Sequence, residues 1–256
     1  MSQFPSPYKT IDILATNKRF NVRDELQTIS TEEVVNKYLS ECNQFSVCCL
    51  HLTGDKNVGQ IVRTSNLFGA KQVIAIGRKK VYTTSCVGAH KYIPLHREYS
   101  LTNNSPNTPE EITIDSEKFS PIMDKYNCVP IFVEQGGVPL HKVNWGSVPN
   151  NVCFVMGSES NGIPTEIIDS YKSETRNFPL VISIPQSGVM RSHNVASAAS
   201  IVIWEYYKFL LDNPSDNSVT DRIEGFVLSI SKLISVFNKI LNVGYIFVLI
   251  AIFYMS

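Results

Sequence analysis

Along this chain short apolar runs alternate with amphipathic stretches from residue 47 to residue 211. Val47–Leu52, Gln72–Ile76, Val129–Val133, Asn151–Met156 and Val181–Ile184 are predominantly apolar on consecutive positions, which predicts strands buried on both faces. Asn57–Phe68 and Glu117–Tyr126 predict helices, the first closed by Gly69 at the C′ position. Pro164 sits where a helix to Tyr171 begins, at N1. Upstream, Ser30–Thr31–Glu32–Glu33 is a capping box, followed at helical spacing by Val34, Val35, Tyr38 and Leu39. Beyond Pro185 a polar loop leads to Ser192. Val195, Ala198, Ala199, Val202, Tyr206 and Leu210 then recur at three- and four-residue steps. Ser192 or Asn194 supplies the N-cap of that helix. Gln135–Gly136–Gly137 predicts a turn, residues 78–99 an irregular connection with a short apolar segment, and residues 101–116 an exposed insertion. Strands alternating with helices give an α/β fold with a mostly parallel sheet flanked by helices.

These elements divide the 256 residues into an N-terminal arm and helix (1–44), a domain (45–211), a linker (212–225) and a hydrophobic tail (226–256). Ile240 to Met255 carries no charge over 16 residues, short of the ~20 that span a bilayer. Three readings of the tail stand side by side: a membrane anchor, a buried or oligomerising helix, and a stretch mistranslated from the gene. A membrane partner enters only through this tail.

Composition adds less than distribution does. With 43% hydrophobic and 18% charged residues the chain is globular rather than disordered, and its net charge of zero does not mark a nucleic-acid binder. Lys56, Arg63, Lys71, Arg78, Lys79, Lys80, Lys91 and Arg97 nevertheless fall in a stretch with no Asp or Glu. Such local positive charge is what phosphate contacts require, and Arg78, Lys79 and Lys80 are the candidate RNA-binding residues. The six cysteines show no CxxC spacing and read as free thiols, buried where they fall in apolar runs. The five histidines show neither HxxH nor HExxH spacing, so no metal is expected. Met1 to Thr10 is polar, not a signal peptide, and the expected location is cytoplasmic, the alternatives being organellar or membrane tail-anchored.

Three stretches carry the chemistry: NVGQIVRTSNLFG (57–69), VCFVMGSESNGI (152–163) and IPQSGVMRSHN (184–194). Each begins on or follows an apolar strand. In this order and spacing they resemble the three motifs of the SpoU–TrmH branch of the SPOUT RNA methyltransferases, a resemblance covering about residues 45–211. It implies a SPOUT fold with a C-terminal deep trefoil knot, a homodimer, and S-adenosylmethionine as methyl donor for a ribose 2′-hydroxyl of RNA. VMRSHNVASAASIVIWEY resembles the eukaryotic tRNA-guanosine type, which favours a tRNA D-loop guanosine; ribosomal RNA is the alternative substrate. A catalytically silent RNA-binding protein of the same fold is the rival from another class.

The resemblance also assigns residues. Gly157 lets backbone approach the donor, Ile184 and Pro185 line its adenine, Glu134 is a further donor contact, and His193 closes the pocket where the family usually has Leu. Arg63 is the group that meets the 2′-hydroxyl and its phosphate. A guanidinium with a pKa above ~12 is a poor free base, so its role is electrostatic. Asn57, Glu159, Ser192 and Asn194 match the family's other polar site positions: Asn57 orders the loop around Arg63, Glu159 orients partners, and Ser192 and Asn194 contact ribose or hold the knot loop.

Overall fold

The computed structural model describes residues 21–52, 54–77, 81–98, 116–172 and 176–213. Its elements are α1 (Thr31–Glu41), β1 (Ser46–Leu50), α2 (Asp55–Leu67), β2 (Gln72–Ile76), β3 (Leu95–Glu98), α3 (Ser116–Lys125), β4 (Val129–Pro139), β5 (Val152–Met156), α4 (Thr165–Ser170), β6 (Val181–Ser183) and α5 (Val195–Asp212). Every strand pair is parallel, in the order β3-β2-β1-β5-β4-β6. The apolar runs explain why: β1, β2 and β5 are buried at every position, so neither face can be left to water. On one face Leu50, Ile74 and Phe132 pack with Phe119 of α3 and Ile167 of α4. Elsewhere in the core, Tyr206 of α5 meets the rings of Phe45 and Phe154 edge-on, at centroid distances of 5.6 and 5.4 Å. Burying each such side chain contributes roughly 1.5–3 kcal/mol.

Local signals set the helix ends. In α1 the Ser30 hydroxyl accepts from the Glu33 N–H at 3.2 Å and the Glu33 carboxylate accepts from the Ser30 N–H at 2.8 Å, the full capping box. Gly69 follows α2 at φ +66°, where a side chain would be strained. Asn194, not Ser192, caps α5: its Oδ1 accepts from the N–H groups of Ala196 (3.0 Å) and Ser197 (3.2 Å).

Four expectations change. Gln135–Gly136–Gly137 is not a turn but part of β4, which continues to Pro139 through an irregularity against β6 between Val133 and Val138. The glycines permit this. Gly136 takes φ +79°, and a Cβ on Gly137 would lie 2.6 Å from the Val181 carbonyl carbon. The irregular 78–99 connection ends in β3, an edge strand of mixed composition that pairs with β2 and carries too little apolar patterning to be read as one. Pro164 caps α4 instead of occupying its first turn, because its ψ of 131° is extended. The buried face of α5 is wider than expected and includes Ala196 and Ile203.

All six cysteines are free, and all but Cys42 are buried. Burial pushes the Cys49 thiol up to about 12, whereas the neighbouring Cys153 thiol brings Cys128 down to about 7. The chain divides into the compact units Met1–Tyr206 and Tyr207–Ser256; the described residues of the second, 207–213, carry the end of α5. Among the described residues no helix is long and apolar enough to cross a membrane. Residues 1–20 of the arm, all of the 101–116 insertion but Ser116, and the 226–256 tail lie outside them.

Candidate active site

The three sequence blocks converge at the C-terminal ends of β1, β5 and β6, where open parallel sheets bind ligands. Asn57, on the first turn of α2, links them. Its Nδ2 donates to Glu159 Oε1 at 2.6 Å, and its Oδ1 accepts from Asn194 Nδ2 at 3.0 Å. One residue from each block thus forms a continuous polar chain, although Asn57 lies 102 and 137 positions from the other two.

Glycines make that approach possible. Gly54 N–H donates to Glu159 Oε1 at 3.1 Å, so the carboxylate satisfies an orphan donor at the start of α2 that a local side chain would ordinarily cap. A Cβ on Gly54 would stand 2.6 Å from Asn57 Nδ2 and 2.8 Å from Glu159 Oε1. Gly157 ends β5 with no room for a side chain: a Cβ there would lie 2.5 Å from the Gly162 carbonyl carbon. Ser158 and Gly162 close the intervening turn through reciprocal backbone bonds of 3.0 Å.

Glu134 anchors the same turn from β4. Its carboxylate accepts from the Ile163 N–H at 3.1 Å and from the Gln135 N–H at 2.9 Å. Gln135, missed in the sequence because it was read as a turn residue, donates from Nε2 to the Arg191 carbonyl at 2.6 Å and ties β4 to the 186–191 loop. That loop is open: Val189 and Met190 are 102% and 78% exposed. Ile184 is half-buried, and Pro185, Ser192 and His193 are exposed beside it.

Arg63 lies on α2, exposed, with no hydrogen bond or ion pair among the described residues. An unpaired guanidinium on a fixed helix remains available to an incoming anion. Its helix is held on another side by a 3.3 Å contact between the hydroxyls of Thr64 and Ser200 of α5. Arg78, Lys79 and Lys80 lie outside the described residues. Among those residues, no group of three or more His, Cys, Asp or Glu is placed to hold a metal.

The model of the SpoU rRNA Methylase family matches residues 44–204, more than half of the chain. The chain belongs to that family. The match contains all three blocks and ends inside α5. Among solved structures, the Aquifex aeolicus TrmH/SpoU tRNA modifying enzyme is 15% identical with a TM-score of 0.53, over 77% of this chain and 96% of that one. The SpoU methyltransferase AviRb from Streptomyces viridochromogenes, solved in complex with the cofactor AdoMet, is 18% identical with a TM-score of 0.50, over 68% and 61%. Both likenesses are of fold. A Mycoplasma genitalium protein named for tRNA (cytidine(34)-2′-O)-methyltransferase activity is 34% identical over 61 residues. That segment spans 24% of this chain and 33% of the relative.

Proposed function

We propose that this chain is an RNA ribose 2′-O-methyltransferase using S-adenosylmethionine, with tRNA as its substrate. The observation that carries the proposal is the Glu159–Asn57–Asn194 chain, which joins the three blocks of a family match at the start of the helix that carries an exposed arginine. The residues fit the donor. Ile184 and Pro185 offer apolar surface, and the loop after β6 leaves backbone open, with nothing within 4 Å of a Cβ built on Gly188. Carboxylates at Glu134 and Glu159 flank this end of the sheet, which suits a sulfonium cation.

S-adenosylmethionine bound there supplies an electrophilic methyl group. That methyl would pass to the ribose 2′-oxygen with cleavage of its bond to sulfur, the hydroxyl proton going to solvent. Arg63 stabilises the charge developing on the oxygen and clamps the adjacent phosphate, both tasks for a permanently charged, bidentate donor. Asn57 and Glu159 hold the start of α2 so that Arg63 has a fixed origin. Gly157, Glu134 and Gln135 shape the donor loops, with Ser192 and His193 at their mouth. The trefoil knot of the resembled family belongs to this proposal, as does the homodimer, which the exposed Leu67, Ile201 and Trp204 support.

Within tRNA, a D-loop guanosine is the proposed site, on the strength of the 189–206 stretch. The Mycoplasma relative favours a second reading, cytidine 34. Mapping ribose methylation in cells lacking the protein separates them: a lost D-loop mark supports the first, a lost position-34 mark the second, and a lost ribosomal mark overturns both. Calorimetry with S-adenosylmethionine tests the enzyme reading against a silent RNA-binding fold; absence of binding overturns the former.

A further inference from the structure

A cavity of about 400 Å³ lies along the β3 edge of the sheet, at the opposite edge from β6. Its walls combine two cations, Lys91 and Arg97, with the apolar Val35, Tyr92 and Ile93 and with His90. Among the described residues neither Lys91 nor Arg97 makes an ion pair, and residues 56–97 contain no Asp or Glu. Glu98, next in the chain, points to the other face of β3, where Lys125 Nζ donates to it at 2.6 Å and the Tyr126 hydroxyl also donates. His90 lines the same cavity, and among the described residues its buried Nδ1 has no hydrogen-bond partner. Burial, followed by Lys91, lowers its pKa, so the ring is neutral near pH 7 and offers one donor and one acceptor.

This combination has a chemical meaning. Paired cations at a mouth suit phosphate, an apolar wall with a tyrosine suits a planar base, and a neutral imidazole suits a base edge. The volume falls in the ~300–1,000 Å³ range of small-ligand pockets. The chain that follows Thr83 in the wall also packs on the helix that carries Arg63. The 3-10 turn Thr84–Cys86 presses on α2, where a Cβ on Gly59 would stand 1.9 Å from Ser85 Oγ. Gly59 lies two residues from Asn57 and four from Arg63 on the same helix.

We propose that this cavity binds an unpaired nucleotide of the RNA substrate, outside the nucleotide that is methylated. Lys91 and Arg97 hold its phosphate, and His90 reads its base. The proposal rests on the RNA-methyltransferase reading above. The shared chemistry is that of any nucleotide, so the test separates RNA from a free mononucleotide.

The experiment measures binding of an unmodified tRNA transcript to the full chain across a potassium chloride series. Wild type is compared with Lys91→Gln/Arg97→Gln, each single variant, and His90→Phe. S-adenosylmethionine calorimetry on every variant reports an intact fold. The double variant is expected to lose at least about tenfold in affinity at low salt, with its log–log salt slope flattened by roughly 0.7–0.9, the loss of one neutralised phosphate. Each single variant should show about half that flattening, and these carry the test if the double variant fails to fold. His90→Phe should weaken binding with the slope unchanged. Affinity and slope equal to wild type in the double variant overturn the proposal and leave the enzyme reading standing. If 5′-GMP binds wild type and not the double variant while RNA binding is unaffected, the site takes free nucleotides and the RNA assignment is overturned. A wild-type chain that binds S-adenosylmethionine but no RNA overturns the parent reading itself.

Discussion

Arg63 makes no bond that folding needs among the described residues, so its substitution separates chemistry from stability. Arg63→Ala is expected to lower single-turnover methyl transfer at least about 10²-fold, the scale of losing one transition-state donor, with donor affinity and melting temperature unchanged. Arg63→Lys should also be poor, because an ammonium cannot reproduce the fork. Equal rates in Arg63→Ala and wild type would place the catalytic charge elsewhere. Gly157 shows the opposite balance. Gly157→Ala drives a methyl into the Gly162 backbone, which cannot yield as a flexible side chain does, so it should cost about 1–3 kcal/mol in thermal unfolding and weaken donor binding. At this scale the sequence singled out Glu159 and Asn194, whose side chains the structure joins through Asn57. Gly54 and Gln135 were not legible, because their importance comes from what stands opposite them, Glu159 in one case and the Arg191 carbonyl in the other.

At the level of elements, α5 begins where folding and the site share one side chain. Asn194 Oδ1 caps the helix and its Nδ2 reaches Asn57, so substitutions can divide the two roles. Asn194→Ala should destabilise the chain by about 1 kcal/mol through the lost cap and also reduce turnover. Asn194→Asp keeps the capping oxygen and loses the donor to Asn57. It is expected to melt within a few degrees of wild type while methyl transfer falls at least about tenfold. Activity preserved in Asn194→Asp would reduce Asn194 to a cap. The helix itself was visible in the 195–210 periodicity, and the strands in their apolar runs. Strand β3 was not, since LHRE has little apolar pattern and is a strand because β2 presents an open edge beside it.

For the whole molecule, stability should depend on pH through two histidines. Burial is the largest cause lowering both His90 and His96 below the ordinary 6.5. Around His96, whose ring stacks on Tyr126 at 4.4 Å, Glu98 raises the value and Lys125 lowers it. A histidine whose folded pKa is depressed binds protons more readily when unfolded. Its stabilising contribution is therefore complete above the unfolded pKa of ~6.5 and is lost as pH falls through that value. Melting temperature should decline from pH 7 to pH 5, and His96→Phe, which keeps the stacked ring, should make the decline shallower. A profile unchanged by His96→Phe would remove this histidine from the account. The proposed dimer has its own test: Trp204→Asp should yield monomers in sedimentation velocity if α5 forms the interface, and dimers if it does not.

The sequence by itself determined the α/β class, the parallel sheet and the family, because these follow from local periodicity and from residue types in a fixed order. Continuous apolar runs alternating with amphipathic helices are satisfied by a sheet between two helical layers, and three motif blocks do not depend on knowing which atoms meet. Only the tertiary structure decided the contacts across the sheet: that Glu159 satisfies the N–H of Gly54, that Asn57 joins β5's turn to α5, that β4 runs on past its glycines, and that a cationic cavity opens beside β3. Each joins residues far apart in sequence, and the free energy that selects it, satisfying a buried or orphaned polar group at a site with no room for a side chain, exists only once both partners are in place.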